Sequence, residues 1–257
     1  MSDAHKEATK LVVVSGASGH LGQAIVQSFL GQPGINVIAL GRSRTTHSEE
    51  ILARWRDQSP EITYLFSDEL PVGDRALTSR IQEAFPRGKI VALINNAASQ
   101  ALGALEELTA EQWMAMLNDT FHSVVTLTQE VLTVMDPGAA VVNISSVEAC
   151  VAFPNHGAYA CAKAALEAYT RSIAGEYAPL GIRANTVAPG LIERDGLAQG
   201  WPQGYQAWQR TAPNGTPVTA EQVARVVAFL ASSESSGVSG TVIPVDGGWL
   251  SSARLSL

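Results

Sequence analysis

No stretch of this sequence approaches the ~18 consecutive apolar residues that a membrane-crossing helix needs. Basic residues are also few. Seventeen Lys and Arg against 24 Asp and Glu leave a net charge of −7, and their thin spread denies the chain the basic footprint of a nucleic-acid groove. A handful of local donors for a small anionic cofactor is still compatible with that balance. Only two cysteines occur, Cys150 and Cys161, and they form no CxxC pair. Buried or incidental thiols in a reducing compartment are the expectation. No cluster of His, Cys and carboxylates has metal-ligand spacing, so no metal is expected. Residues 1–10 are polar and charged with no apolar signal core behind them, which points to the cytoplasm. Linkers, repeats and low-complexity tracts are missing too, and residues 1–257 read as a single domain.

What is present is rhythm. Hydrophobic residues make up 46% and charged residues 16%, enough to bury a sheet and too apolar for a disordered chain. Short β-rich apolar runs fall at 11–14, 37–40, 62–66, 90–94, 139–144, 182–187 and 241–245. Between them lie amphipathic, helix-like stretches at 21–30, 74–85, 110–135, 158–177 and 220–231. Alternating strands and helices predict an α/β fold: a Rossmann-type, doubly wound, seven-stranded parallel sheet with helices on both faces. Ligands in such folds bind beyond the carboxyl ends of the strands, which directs attention to the strand-end turns.

The first such turn reads Ser15-Gly16-Ala17-Ser18-Gly19-His20-Leu21-Gly22. Glycines there allow backbone N–H groups to approach a pyrophosphate at a helix N-terminus. Gly16, Ser18, Gly19, His20, Leu21 and Gly22 are therefore candidate cofactor contacts. The second strand ends at Gly41-Arg42-Ser43-Arg44, with no carboxylate to accept from an adenosine 2′-hydroxyl. Arg42 and Arg44 offer guanidinium donors suited to a 2′-phosphate, so NADP(H) is favoured over NAD(H). Asp68 follows the third strand, where it could accept from an adenine amine. Asn96 and Ala97 follow the fourth, and Asn95 beside them has the short amide that bonds local backbone. After the fifth run comes Ser146, and then Tyr159 and Lys163, four apart on one face of a predicted helix. A phenol with its ordinary pKa of ~10 is a weak proton donor at neutral pH, and a neighbouring ammonium would lower it. Hydride reduction of a ketone needs that proton, and Ser146 would orient the carbonyl oxygen.

With these residues the chain resembles the short-chain dehydrogenase/reductase family, in its compact single-domain branch, from about Lys10 to Trp249. The family's Ser-x12-Tyr-x3-Lys falls on Ser146, Tyr159 and Lys163, and its Asn-Asn-Ala-Gly on residues 95–98. Its Arg-x-Asn-x-x-x-Pro-Gly falls on Arg183, Asn185, Pro189 and Gly190, and its closing Asp-Gly-Gly on residues 246–248. The resemblance implies hydride transfer with tyrosine as general acid/base, acting on a small-molecule carbonyl or alcohol. Pro189, Gly190 and Ile192 become cofactor contacts, and residues 193–217, rich in Trp, Gly, Pro and Tyr, become a substrate flap. Homo-oligomer assembly, as tetramer or dimer, would run through the two long central helices, whose outer faces are expected to carry Ala164, Ala168 and Ile173.

Departures accompany the likeness. His20 stands where the cofactor turn's middle glycine is expected, Ala98 replaces a glycine, and Arg194 replaces a threonine. The family's fourth catalytic residue, an Asn on a water relay to the lysine, falls on Thr120, with Asn118 two positions away as the alternative register. Trp201, Tyr205 and Trp208 could line an apolar pocket or pack against the body. Glu148, Asn155 and His156 could face the substrate. Three functions remain: a carbonyl reductase or alcohol dehydrogenase; a cofactor-binding sensor or structural protein with weak or no catalysis; and, within the same family resemblance, reduction of a carbon–carbon double bond or of a carrier-bound acyl group.

Overall fold

The computed structural model describes residues 9–59, 62–66 and 76–252. The apolar runs become strands β1 (Lys10–Ser15), β2 (Ile35–Gly41), β3 (Thr63–Phe66), β4 (Lys89–Asn95), β5 (Met135–Ile144), β6 (Arg183–Pro189) and β7 (Val242–Val245). All pair in parallel, in the order β3-β2-β1-β4-β5-β6-β7. The order reverses between β1 and β4, and that switch point opens a crevice at the carboxyl ends. Successive side chains of β1 enter opposite cores, Leu11 and Val13 on one face, Val12 and Val14 on the other. Helices α1 (His20–Phe29), α2 (Thr46–Gln58) and α9 (Ala220–Ala231) cover the second of these faces. The first is covered by α3 (Ala76–Ala84), α5 (Ser123–Leu132) and α6 (Gly157–Glu176). The doubly wound, seven-stranded architecture is as expected. Among the described residues no helix is long and apolar enough to cross a membrane.

Three expectations need correction. Helix α2 is absent from the sequence reading because its core contacts are only Ile51, Leu52 and Trp55 in an otherwise polar stretch. Its signal was the capping box in which Thr45 and Ser48 satisfy each other's backbone N–H groups. The single helix expected at 110–135 is instead α4 (Ala110–Leu117), a π-helical turn (Asn118–His122) and then α5. It ends at Leu132, and Met135 already pairs with Ile90 in the sheet. An unbroken apolar run cannot by periodicity distinguish the end of a helix from the start of a strand. On α6, Ala164 and Ala168 are exposed as expected, but Ile173 is 3% exposed and packs into the core.

Candidate active site

The turn from β1 into α1 closes onto the end of β4. Gly16 has φ +63°, and a Cβ there would lie 2.8 Å from the backbone of Ala97. A Cβ on Gly22 would sit 2.1 Å from the Gly16 carbonyl oxygen. Ser15, a residue without a proposed role in the sequence reading, joins the two strand ends: its Oγ accepts from Asn96 N at 3.1 Å and Ala97 N at 3.2 Å. The Asn96 side chain donates to Gly16 O at 3.0 Å, so its amide shapes the turn from within. Gly19 caps α1 without a side-chain acceptor, leaving first-turn N–H groups for an anion. Beyond these strand ends lies a cleft of about 810 Å³ lined by Gly16, Gly19, Gly41, Arg42, Asn96 and Ala97. The glycines let the turn pack tightly on the end of β4, and the cleft above it, at the switch point of the sheet with first-turn N–H groups on its edge, fits a dinucleotide.

The other residues of the turn diverge. Leu21 packs against the core, so its backbone alone can face the cleft. Ser18 is partly buried, and its carbonyl accepts from Gln23 Nε2 at 3.0 Å. His20 is exposed, with Nε2 2.8 Å from Glu193 O, and so ties the first helix to the start of the 193–217 segment. Arg42 is exposed at the cleft mouth with Nη2 3.5 Å from Asp119 Oδ2. Arg44 pairs with Glu49 and lies over the Phe66 ring at 4.6 Å. Asp68 lies outside the described residues.

Beneath the strand ends, Asn95 Nδ2 donates to Thr128 Oγ1 (2.9 Å) and Asn143 Oδ1 (2.8 Å), and Asn143 donates on to Thr170 (2.8 Å). This buried chain pins α5 and α6 to the sheet, and gives Asn95 a structural setting.

Ser146, just past β5, is extended and accepts from Glu148 N at 3.2 Å. Its hydroxyl side chain also acts on the phenol of Tyr159, in the direction that lowers its pKa. Lys163, one turn further along α6, is 2% exposed. Its Nζ donates to Ile144 O at 2.7 Å and stands 5.5 Å from the Tyr159 ring centroid. Ser146, Tyr159 and Lys163 are thus brought together. Their electrostatics differ from expectation. Burial pushes the Tyr159 phenol up, the charge of Glu148 adds to this, and only the Ser146 hydrogen bond opposes it. The Lys163 ammonium is bonded to the Ile144 carbonyl beside the ring. Burial also lowers Lys163 to about 8, with Glu148 resisting.

Thr120 is fully buried within the π-helical turn, whereas Asn118 is exposed. The Thr120 hydroxyl donates to Ser99 O (3.0 Å) and accepts from Ser99 N (3.2 Å). These bonds fasten the loop that follows Ala97 and Ala98.

The end of β6 carries Pro189, Gly190 and Ile192. A Cβ on Gly190 would lie 2.6 Å from the Trp208 ring, and Ile192 bridges to Val218. The segment beyond folds into α7 (Leu197–Gly200) and α8 (Pro202–Thr211). Trp208 turns inward and stacks on Trp249 at 5.0 Å and 13°, and Trp249 stacks on Phe153 at 5.6 Å. Tyr205 donates to Glu193 Oε2 at 2.9 Å, while Trp201 is 44% exposed. Of the three aromatics, Trp208 therefore packs on the body. Arg194 is exposed, its backbone N–H on Glu193 Oε1 at 3.2 Å. Both cysteines are free and exposed, which leaves the incidental of the two expected readings, buried or incidental.

A family model described as Enoyl-(Acyl carrier protein) reductase matches residues 16–250. The chain belongs to the short-chain dehydrogenase/reductase family, and it is an oxidoreductase acting on a hydroxyl/carbonyl pair. It is 32% identical over 251 residues to the 2-(R)-hydroxypropyl-CoM dehydrogenase of Xanthobacter autotrophicus, covering 94% of this chain and 98% of that one. It is 31% identical over 264 residues to the uncharacterized short-chain type dehydrogenase/reductase y4vI of Sinorhizobium fredii, of whose length it spans 45%. Among solved structures, the angucycline C-6 ketoreductase LanV with bound NADP superposes with a TM-score of 0.85 at 27% identity, over 95% of this chain and 96% of that one.

Proposed function

We propose that the chain is an NADP(H)-dependent ketoreductase or alcohol dehydrogenase in which Tyr159 is the proton donor and acceptor. One observation carries this reading: Ser146, Tyr159 and Lys163 converge at the carboxyl end of β5, in a fold whose adjoining strand ends form a glycine cradle. A bound nicotinamide supplies or accepts the hydride. Ser146 donates to the carbonyl oxygen and fixes its position. Tyr159 gives its phenolic proton to the oxygen of the forming alcohol, its O–H bond breaking as the new one forms. A phenol held up by burial and by Glu148 stays protonated at neutral pH, which suits reduction. Lys163, with its pKa at about 8, remains mostly cationic there and opposes the charge left on the phenolate. Thr120 acts as a positioning residue for the loop after β4.

The preference for NADP(H) rests on Arg42 at the end of β2, in a turn with no carboxylate of its own, where a 2′-phosphate would compete with Asp119 for the guanidinium, and is supported by the NADP held in LanV. The cradle contacts would come from Gly16, Ser18, Gly19, His20, Gly22, Asn96 and Ala97, and the nicotinamide end from Pro189, Gly190 and Ile192. A cofactor-binding sensor has one observation in its favour, the engagement of Thr120 with Ser99.

The test is a panel of ketones and alcohols assayed with NADPH/NADP⁺ and NADH/NAD⁺, with Tyr159→Phe as comparison. The parent should turn over and the variant should not, while both bind NADPH equally in a fluorescence titration. Turnover by Tyr159→Phe near the parent level would remove the tyrosine from the mechanism. A parent that binds NADPH yet reduces nothing would favour the sensor.

A further inference from the structure

A second polar pair stands beside Tyr159. Glu148 lies two residues after Ser146, in the 3-10 turn Val147–Ala149, and its Oε2 is 2.6 Å from Nδ1 of His156. Both side chains are largely buried, at 13% and 14% exposure. His156 precedes Tyr159 by one turn, at the N-cap of α6. The backbone that presents it is held in place. Asn155 has φ +66°, a left-handed conformation that asparagine tolerates better than most residues. Its carbonyl accepts from Gly103 N at 2.9 Å, and His156 N donates to Phe153 O at 3.2 Å.

Gln100 Nε2 approaches His156 Nδ1 at 3.4 Å, and apolar side chains line the rest of this flank. Val147, Val151, Phe153 and Trp249 form one cluster there, and Phe153 lies against the His156 ring at 6.0 Å. A buried carboxylate in such surroundings is unfavourable unless hydrogen bonds satisfy its oxygens. Among the described residues, Oε2 of Glu148 has its partner in His156, while Oε1 of Glu148 and Nε2 of His156 have none. Two directional polar atoms are left for whatever enters. They stand next to the reacting centre: Glu148 N donates to Ser146 Oγ, the oxygen assigned above to the substrate carbonyl, and the Glu148 charge reaches both Tyr159 and Lys163.

We infer that Glu148 and His156 form a subsite for a hydroxyl group on the carbon next to the reacting carbonyl, making the substrate class neutral α-hydroxy ketones and their vicinal diols. A hydroxyl donates to Glu148 Oε1, which a plain ketone leaves unsatisfied. A carboxylate or phosphate at the same carbon meets an acid in a poorly screened position and is rejected. Glu148 and His156 are thus specificity-determining residues. The inference rests on the ketoreductase reading, and its test separates the two.

The probes are acetoin, butanone and pyruvate with NADPH, which keep a methyl ketone and change only its neighbour. For the parent, kcat/KM for acetoin should exceed that for butanone by about tenfold or more, as a hydrogen bond to a charged acceptor provides. Pyruvate should fall below butanone. In Glu148→Leu the acetoin-to-butanone ratio should collapse to within about twofold, and in Glu148→Gln, which keeps a neutral acceptor, it should be intermediate. A parent that reduces both ketones equally well, or favours pyruvate, overturns the subsite and leaves the ketoreductase intact. A ratio unchanged in Glu148→Leu overturns it as well. A parent that reduces none of the three, and no other ketone of the wider panel, fails the ketoreductase reading, and the subsite falls with it. The parent's own ratio decides the matter even where the leucine variant does not fold.

Discussion

Replacing Lys163 with methionine separates two consequences of one buried charge. Lys163 is 2% exposed, and among the described residues its ammonium donates one hydrogen bond, to Ile144 O at 2.7 Å. Its pKa falls from 10.5 to about 8, chiefly through desolvation. In free-energy terms, that shift means that burying the charged form costs the folded state ~3 kcal/mol at neutral pH. The folded protein releases its proton at lower pH than the unfolded chain does. Below about 8 the penalty is present in full, and it is relieved as pH rises towards the unfolded value of 10.5. Relative to Lys163→Met, the parent should therefore gain ~2 kcal/mol of stability between about pH 7 and about pH 9.5. At about pH 7 the methionine variant, of similar volume, should be as stable as the parent or ~1 kcal/mol more so, since the lost hydrogen bond offsets part of the relief. The assay is urea unfolding of both proteins without cofactor at the two pH values. Tyr159 and Glu148 are present in both, so their own titrations largely cancel in the difference. Turnover should be lost in the variant at either pH. A stability difference that does not change with pH, or one that moves against the parent as pH rises, would refute the reasoning.

Three further outcomes follow from the site. Arg42→Ala should weaken NADPH binding about tenfold or more, in line with a lost hydrogen bond to a charged group, and leave NADH nearly unaffected in parallel titrations. Equal losses would show that Arg42 does not read the 2′-phosphate. Gly22→Ala places a methyl 2.1 Å from the Gly16 carbonyl oxygen, so it should lower stability by ~1–3 kcal/mol and weaken both cofactors, as thermal melts with and without ligand would report. Thr120→Val keeps the shape but removes both bonds to Ser99. It should slow turnover while sparing cofactor affinity, whereas Asn118→Ala should resemble the parent in both. The reverse pattern would make Asn118 the functional residue.

The sheet was readable from the chain because its central strands are buried on both faces and so appear as apolar runs bounded by turn residues. Helix α2 was not, since its three buried apolar side chains sit in a stretch that is polar on average and does not stand out as a core helix. The break within 110–135 was hidden for another reason: a π turn inserts no special residue type, and Asn-Asp-Thr-Phe-His reads like ordinary helix. Spacing located Ser146, Tyr159 and Lys163 because chemistry requires those types at the end of one strand and on one helix face. Spacing could not give their protonation. That depends on how deeply the helix is covered and on Glu148, whose carboxylate is placed by the turn after β5. Ser15 passed unnoticed because its work is done on backbone N–H groups far along the chain, and no side-chain pattern records that.

The stack of Trp208 on Trp249 and of Trp249 on Phe153 joins helix α8 to the closing Asp-Gly-Gly turn. That turn is itself fixed, with Asp246 accepting from Gly248 N and Leu250 N at 2.9 and 2.8 Å. For protein engineering, residues 193–217 are consequently not an exchangeable cassette. A graft taken from a relative without its matching closing segment would set a foreign side chain against the Trp249 ring and leave one half of an interlocking joint. Transplanting both segments together, as a two-part module, is the route by which a new selectivity could be carried on this scaffold.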